Sequence, residues 1–372
     1  MAKNVKEPKT IDMRTFLKLF TFLLCIGLFN MVACKKQQDF DKEAMLSDLI
    51  NEYVLPSYQQ LLVDNQVLET VALNFEQTPT ITSLEEVQEA WKTTMKSWSM
   101  VEMLVFGPGR DNYRYLKLDN TPTSQHFIEN AIADTVLIDS FYIADRSSYT
   151  KGLASIEYLI FDANNNQGAL LNLYQTDGNK ERRFAYLLNC IKNTKGLISE
   201  LEMEWSGSYG ATLSQSTGNA SQEGIAAFSN AIVHMSQTLA VKKLAKPLGK
   251  ESGDQLLHPE YLESPYAHFS WDIILYNLKG IQQIFGTSDK GLGSYLNYLV
   301  NDDALTIGIV AQAKKVEGLI KARQLTLFGD LTTNTADVEI IYKEMGQLYT
   351  DLSSHVATYF SITILANPDD GD

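Results

Sequence analysis

The chain has 372 residues, with 31 Lys and Arg against 45 Asp and Glu and a net charge of −14. This surplus of negative charge argues against nucleic acid and against wide contact with anionic lipid head groups. Only three cysteines are present, at 25, 34 and 190, too few for a disulfide framework or a thiolate metal site.

The N-terminus comes first in the chain and is the most specific in its signals. Lys3, Lys6, Lys9, Arg14 and Lys18 form a basic region, followed by the apolar run LFTFLLCIGLF at 19–29. That run is shorter than the ~20 residues a membrane-spanning helix needs, which is the pattern of a cleaved secretory signal. It ends in Met31-Val32-Ala33-Cys34, and polar residues begin at Lys35. A small residue before a Cys at this point predicts a signal peptide over 1–33 and lipidation of Cys34. Each buried acyl methylene is worth about 0.8 kcal/mol, so several chains make a stable anchor. Lys35 in place of Asp after the Cys favours the outer membrane, facing the periplasm or the exterior. Removal of 1–33 leaves 26 basic against 43 acidic residues, a charge of −17.

After a tether over 34–39, apolar residues recur at helical spacing near 40–75, 83–105, 124–135, 149–161, 180–205, 221–244, 266–285, 302–328 and 334–358. Ser83 with Glu86 has the form of a capping box opening the second of these segments. The run SGSYGATLSQSTGNASQ at 206–222 is rich in Gly and Ser and reads as a break. Strand-like alternation is scarce. The expected fold is all-α: one helical bundle over 40–205, a linker over 206–222, and a second bundle over 223–372, packed together.

Standard catalytic patterns do not occur: no HExxH, no GxSxG, no Gly-rich phosphate loop. The five histidines, at 126, 234, 258, 268 and 355, are far apart and read as surface or satisfied core residues. Cys190, among Tyr186, Leu187, Leu188 and Ile191, reads as a buried inert thiol. Carboxylates on apolar helix faces are the more informative feature. Glu102 continues the stripe of Trp91, Met95 and Trp98; Glu157 sits between Ile156 and Tyr158; Asp272 lies among Phe269, Ile273 and Tyr276. A buried carboxylate is costly unless paired, hydrogen-bonded or metal-bound. Each alone is most simply explained by a salt bridge or hydrogen bond, but three in separate segments suggest a shared polar site between helices.

Four blocks in order resemble the imelysin family. They are Trp91-x6-Trp98-x3-Glu102 running into Phe106-Gly107-Pro108; Gly152-Leu153-Ala154-Ser155-Ile156-Glu157-Tyr158-Leu159 in the place of the family's GxHxxE motif; Glu263-Ser264 with Phe269-Ser270, Asp272, Asn277 and Gly280-Ile281; and the closing Asn367-Pro368-Asp369-Asp370-Gly371-Asp372. Arg182 and the turn Pro247-Leu248-Gly249 suit the same pattern. The resemblance implies two helical bundles, a cleft lined by the GxHxxE segment, a metal or small-ligand site there, and an association with iron acquisition. Where the family has His, this chain has Ala154, which carries no lone pair. Either the metal site is lost and the cleft binds something else, or it rests on Glu157 and Glu102 with carboxylates such as Asp272, oxygen donors that suit hard cations such as iron or calcium.

The reading that results is a lipid-anchored extracytoplasmic binding protein, a component of iron, haem or other metal uptake, partnered by the membrane and by an uptake transporter or receptor. Its ligand would meet Glu102, Glu157, Ser270, Asp272 and Asn277 in the inter-bundle cleft, with Trp98 and Tyr158 as walls and no catalytic residue assigned. A metal-dependent peptidase and a carbohydrate-binding lipoprotein are the alternatives.

Overall fold

The structure is a computed structural model that describes residues 39–251 and 256–366. The expected signal peptide, Cys34, the start of the tether and the closing Asp-rich tail lie outside these residues. From Asp41 onward the chain is helical, and among the described residues the β-type pairing is one isolated bridge between Thr287 and Lys290. No described helix is long and apolar enough to cross a membrane.

Helix α1 (Lys42–Asp48) starts at Asp41, whose carboxylate accepts from the Ala44 N–H and so satisfies one of the donors a helix start leaves open. A wider π segment (Leu49–Val54) joins it to α2 (Leu55–Gln77), which carries a proline in its first turn, where no N–H is needed. Helix α3 (Ile81–Val101) returns antiparallel beside α2. Its capping box is not the Ser83–Glu86 pair that spacing predicts. Thr80 is the N-cap and accepts from the Ser83 N–H, while the Ser83 hydroxyl accepts from the Thr80 N–H. Pro79 holds the chain out of the helix up to that point, so the start falls three residues earlier.

The first half continues with α4 (Arg114–Leu118), α5 (Gln125–Ala133), α6 (Ser140–Ala144), α7 (Gly152–Ile160), α8 (Gln167–Gln175) and α9 (Lys180–Ser206). Helix α9 packs along α2 and also touches α7, so α2, α3, α7 and α9 surround one core. Trp91, Tyr58, Phe75, Tyr174 and Tyr186 are almost completely buried in it. Arg182 donates to the Ile132 and Ala131 carbonyls, capping the end of α5. Cys190 is buried, and burial pushes its thiol pKa well upward, as expected of an inert side chain.

The stretch 206–222 is not uninterrupted loop: it holds α10 (Ser208–Gln215). The second half comprises α11 (Gly224–Ala240), a second π segment (Val241–Ala245), α12 (Ser270–Phe285), α13 (Gly291–Val300), α14 (Ala304–Lys321), α15 (Leu327–Thr333) and α16 (Thr335–Phe360). Helices α11 and α14 each pack on α16, with Phe228, Phe285 and Phe360 buried in this half, and α12 packs on α11, α14 and α3. Trp205 at the end of α9 meets Phe228 of α11 at 6.4 Å between ring centroids, a second bridge between the halves.

The α3–α12 seam depends on Gly280. A Cβ there would meet the Met103 side chain, stand 2.5 Å from the Met100 carbonyl oxygen, and lie 3.0 Å from the Tyr53 hydroxyl, which itself donates to that carbonyl. Gly280→Ala should therefore force the helices apart and lower stability by about 1–3 kcal/mol. A urea midpoint equal to that of the parent chain would show that the seam is more yielding than this packing implies.

Candidate functional site

A cavity of about 930 Å³ opens where residues from both halves of the sequence meet. Trp98, Glu102, Phe106, Asp119 and Tyr149 line it from the first half, and Asn230, His234, Lys243, Tyr261 and Glu263 from the second. The described end of the chain closes part of the wall. Leu365 donates its N–H to Asn230 Oδ1, His234 pairs with the Leu365 carbonyl, and both Leu365 and Ala366 face the cavity.

The chemistry of the floor begins with Lys243. The π segment that carries it widens the helix by one residue per turn, and such segments often re-aim a side chain. Lys243 is buried, and its ammonium stands 3.0 Å from each carboxylate oxygen of Glu102, 2.9 and 2.8 Å from those of Glu263, and 2.7 Å from Asn277 Oδ1. Three residues thus receive the three protons of one ammonium. The Asn277 amide nitrogen donates to the Ser99 carbonyl at 2.8 Å and to Glu102 at 2.7 Å, which fixes the amide with its oxygen towards Lys243. Glu102 caps the C-terminus of α3, where the helix dipole disfavours a negative charge. Lys243 and Asn277 offset that cost. Burial by itself would lower the Lys243 pKa, but the carboxylates of Glu102 and Glu263 outweigh it and move it upward.

Asp119 stands beside this cage. Burial, followed by the negative charges of Glu263 and Glu102, pushes its carboxyl well above the ordinary carboxylate range, with Lys243 pulling the other way. Its Oδ1 accepts from the Ala154 N–H at 3.0 Å and so caps the start of α7. Gly152 makes this possible: its φ is +78°, and a Cβ would stand 2.5 Å from the Leu118 carbonyl oxygen. The Gly of the motif therefore seats α7 against the end of α4, and the residue where the family has His is next to Asp119 through its backbone.

Glu157 does not line the cavity. It is buried on α7, and its Oε1 accepts from Ser264 Oγ at 2.8 Å, Tyr266 N at 3.0 Å and Ala267 N at 2.8 Å. It is a clamp on the 263–269 segment, and through that segment it sets the position of Glu263. Ser270 is buried beside it and accepts from the Ser264 N–H. Of the residues expected at the site, Glu102 and Trp98 line the cavity, while Asn277 is fully buried behind Glu102 and Lys243, and Ser270 is buried away from the lining. Asp272 and Tyr158 do not line it either: Asp272 is partly exposed and faces Lys96 at 3.7 Å, while Tyr158 donates to Glu129 at 2.7 Å and packs edge-on against Tyr266.

The metal reading does not fit these residues. Ala154 supplies no ligand, one oxygen of Glu157 already takes three donors, and both oxygens of Glu102 face an ammonium. Among the described residues no three His, Cys, Asp or Glu side chains form a group able to hold a metal ion.

Asp119, Glu263 and Lys243 were not assigned to the site by the sequence reading. Glu263 belongs to an irregular segment with no periodicity to mark it as buried. Lys243 carried a usable signal, since Ile232, Met235, Leu239 and Lys243 follow one helical stripe. The argument that singled out Glu102 applies equally to a cation on an apolar face.

Comparison with known proteins agrees with the architecture. The model of the family described as Imelysin matches residues 54–355. An iron-regulated protein A from Synechococcus elongatus is 26% identical over 140 residues, a match that spans 37% of this chain and 37% of that protein. Crystal structures of a protein described as an iron-regulated protein A precursor from Parabacteroides distasonis and of an imelysin-like protein from Psychrobacter arcticum each superpose with a TM-score of 0.72. They are 17% and 18% identical to this chain, and each match covers 88% of this chain and 97% of the other.

The Glu157 clamp has a pH signature. Burial raises its pKa to about 7, despite the opposing hydrogen bonds from Ala267, Ser264 and Tyr266. The folded protein then holds a proton that the unfolded chain releases near pH 4.5. Stability from this group is present in full below about pH 4.5 and is lost as pH rises through 7, by up to about 3 kcal/mol. In Glu157→Gln that slope should vanish, which chemical denaturation at pH 5 and pH 8 can read. Equal pH slopes in parent and variant would refute the assignment.

Proposed function

This chain belongs to the imelysin family, and on that premise we propose that it is a lipid-anchored, extracytoplasmic binding protein that captures an iron-bearing organic ligand in the cavity. The observation that carries the reading is the cavity itself. Its volume of about 930 Å³ lies at the upper end of the usual range for small-molecule sites and far exceeds the needs of a bare ion. Trp98 lines it, and its indole N–H is buried with no hydrogen-bond partner among the described residues. The exposed part of the lining carries Arg110 and Lys246 together with Glu251 and Glu260. A metal chelate, which presents anionic donors around a cationic centre, meets both signs of charge. The iron in this reading comes from the names of the relatives, two of which are iron-regulated proteins. The anchor comes from Cys34 and would hold the cavity outside the cytoplasm, where it could hand its ligand to a transporter or receptor.

A peptidase would need a metal with an open coordination position and a general base beside it. Glu102 and Glu157 are the residues on which a metal site would rest, and both are engaged by donors of the protein itself.

Titration of the full chain in detergent against haem and against ferric citrate, followed by tryptophan emission, tests the proposal. Saturable quenching at micromolar ligand is expected with one of the two, weakened at least tenfold in Arg110→Ala/Lys246→Ala. Chelator-sensitive cleavage of a peptide with no saturable binding would replace this reading with the peptidase. Binding of a polysaccharide alone would point to the carbohydrate reading.

A further inference from the structure

One stretch of the cavity wall is held in a different way from the rest. Helix α16 ends at Ser361, which takes the left-handed conformation at φ +54° and ψ 43°. The chain leaves the helix there and crosses α11, with Phe360 and Ile362 buried as its last firm holds. Beyond Ile362 the side chains of Thr363, Leu365 and Ala366 are exposed, yet Leu365 and Ala366 face the cavity. Two side chains one turn apart on α11 hold this stretch. Asn230 accepts the Leu365 N–H at 2.9 Å and donates to the Thr363 carbonyl at 3.4 Å, and His234 Nε2 stands 2.9 Å from the Leu365 carbonyl oxygen. The Asn230 amide also donates to the Ala226 carbonyl at 2.9 Å, so its own helix keeps it aimed.

We propose that residues 363–366 are a hinged strap over the cavity, latched by Asn230 and His234 and released as a unit about Ser361 and Ile362. A segment with little buried apolar surface and few hydrogen bonds opens locally, while well-packed elements open only with the global unfolding of the domain. The other walls are of the second kind: α3 and α11 belong to the core, and the floor is fixed by the Lys243 ion cluster. Opening therefore widens the cavity at one place and leaves its floor intact. It also exposes the latch to the cavity, because Asn230 and His234 both line it. A ligand that takes over their hydrogen bonds competes with the strap and favours the open form, and its apparent affinity falls with the fraction of chains that are closed. The part the strap plays in ligand entry rests on the binding function proposed above; its opening does not.

The test reads opening with no ligand present. Ala231 lies between the two latch residues on α11, is buried and lines the cavity. In the full chain in detergent, Ala231→Cys is reacted with a maleimide and its labelling rate is followed above the background of the chain's own cysteines. Leu365→Pro removes the N–H that Asn230 holds and changes only an exposed side chain, and a stop after Ile362 removes the strap altogether. Labelling of Ala231→Cys should be at least tenfold faster in either background than with the strap intact, and the melting temperature should not change. Equal rates with and without the strap would overturn the proposal. So would a gain on truncation that Leu365→Pro fails to reproduce, because the latch would then lie elsewhere. A Leu365→Pro chain that melts below the parent would place the stretch in the folded core and count equally against it. None of these outcomes involves haem or ferric citrate, so a failed titration with either leaves the strap to be judged by its own result.

Discussion

The ammonium of Lys243 is the interaction on which the centre of this molecule depends. It joins the end of α3 in the first half to three pieces of the second: the π segment after α11, the 263–269 segment and the middle of α12. Burying a charge is tolerable only with a full set of partners, and removal of one partner from a buried pair typically costs about 3–5 kcal/mol. Here the partners come from both halves of the chain, so the halves meet in a defined register or leave charges stranded. Hydrophobic packing between α3 and α12 has no such directional demand. It supplies most of the attraction, and the ion cluster selects the geometry.

The rest of the floor follows from that centre. Glu263 reaches Lys243 only because its segment is pinned by Glu157 through three hydrogen bonds. Asp119 sits within the field of the same carboxylates, which favours its protonated form, and it spends one oxygen on the start of α7. The motif glycine brings α4 and α7 close enough for that contact. Glu157 and Asp119 are therefore positioning groups: they aim the residues and helix that face the cavity, and neither is free to act as a ligand with its full valence. A segment that resembles a metal-binding motif has become the frame around an internal ion cluster.

Much of this was legible beforehand. Each of the nine periodic stretches corresponds to a helix, because an amphipathic face repeats over enough turns to be unmistakable. The short helices α4, α6, α8, α10, α13 and α15 were missed because two turns or fewer give too little period to detect, or because Gly and Ser within them read as a break. At the site, Glu102 stood out as a charge on an apolar stripe, and Asn277 and Trp98 followed from the family pattern. Glu157 was rightly read as buried, but a carboxylate held by backbone N–H groups and one awaiting a ligand look identical in sequence. What separates them is the 263–269 segment folding over α7, a long-range contact with no local trace. The π segments escaped for a related reason: a single extra residue in a turn shifts the facing of every later side chain by roughly 100° and leaves the composition unchanged.

The solved relatives share this fold at 17–18% identity, so the helical frame tolerates almost complete replacement of its side chains. A frame that tolerant places few limits on the chemistry of its cavity, and function has to be argued from the site. This chain carries an alanine at 154 and a buried ammonium at 243. Two buried carboxylates that face each other require a cation, and a chain that lacks the donors to bind one from solution gains from carrying its own. The internal cation is bound without loss of translational freedom and does not depend on metal supply. It also cannot leave, so the floor is rigid and the adaptable part of the cavity is confined to its upper walls, where Tyr149, Arg110 and Lys246 face solvent. Differences in ligand between members of the fold should therefore track those wall residues, and the floor should decide only whether a metal ion takes part.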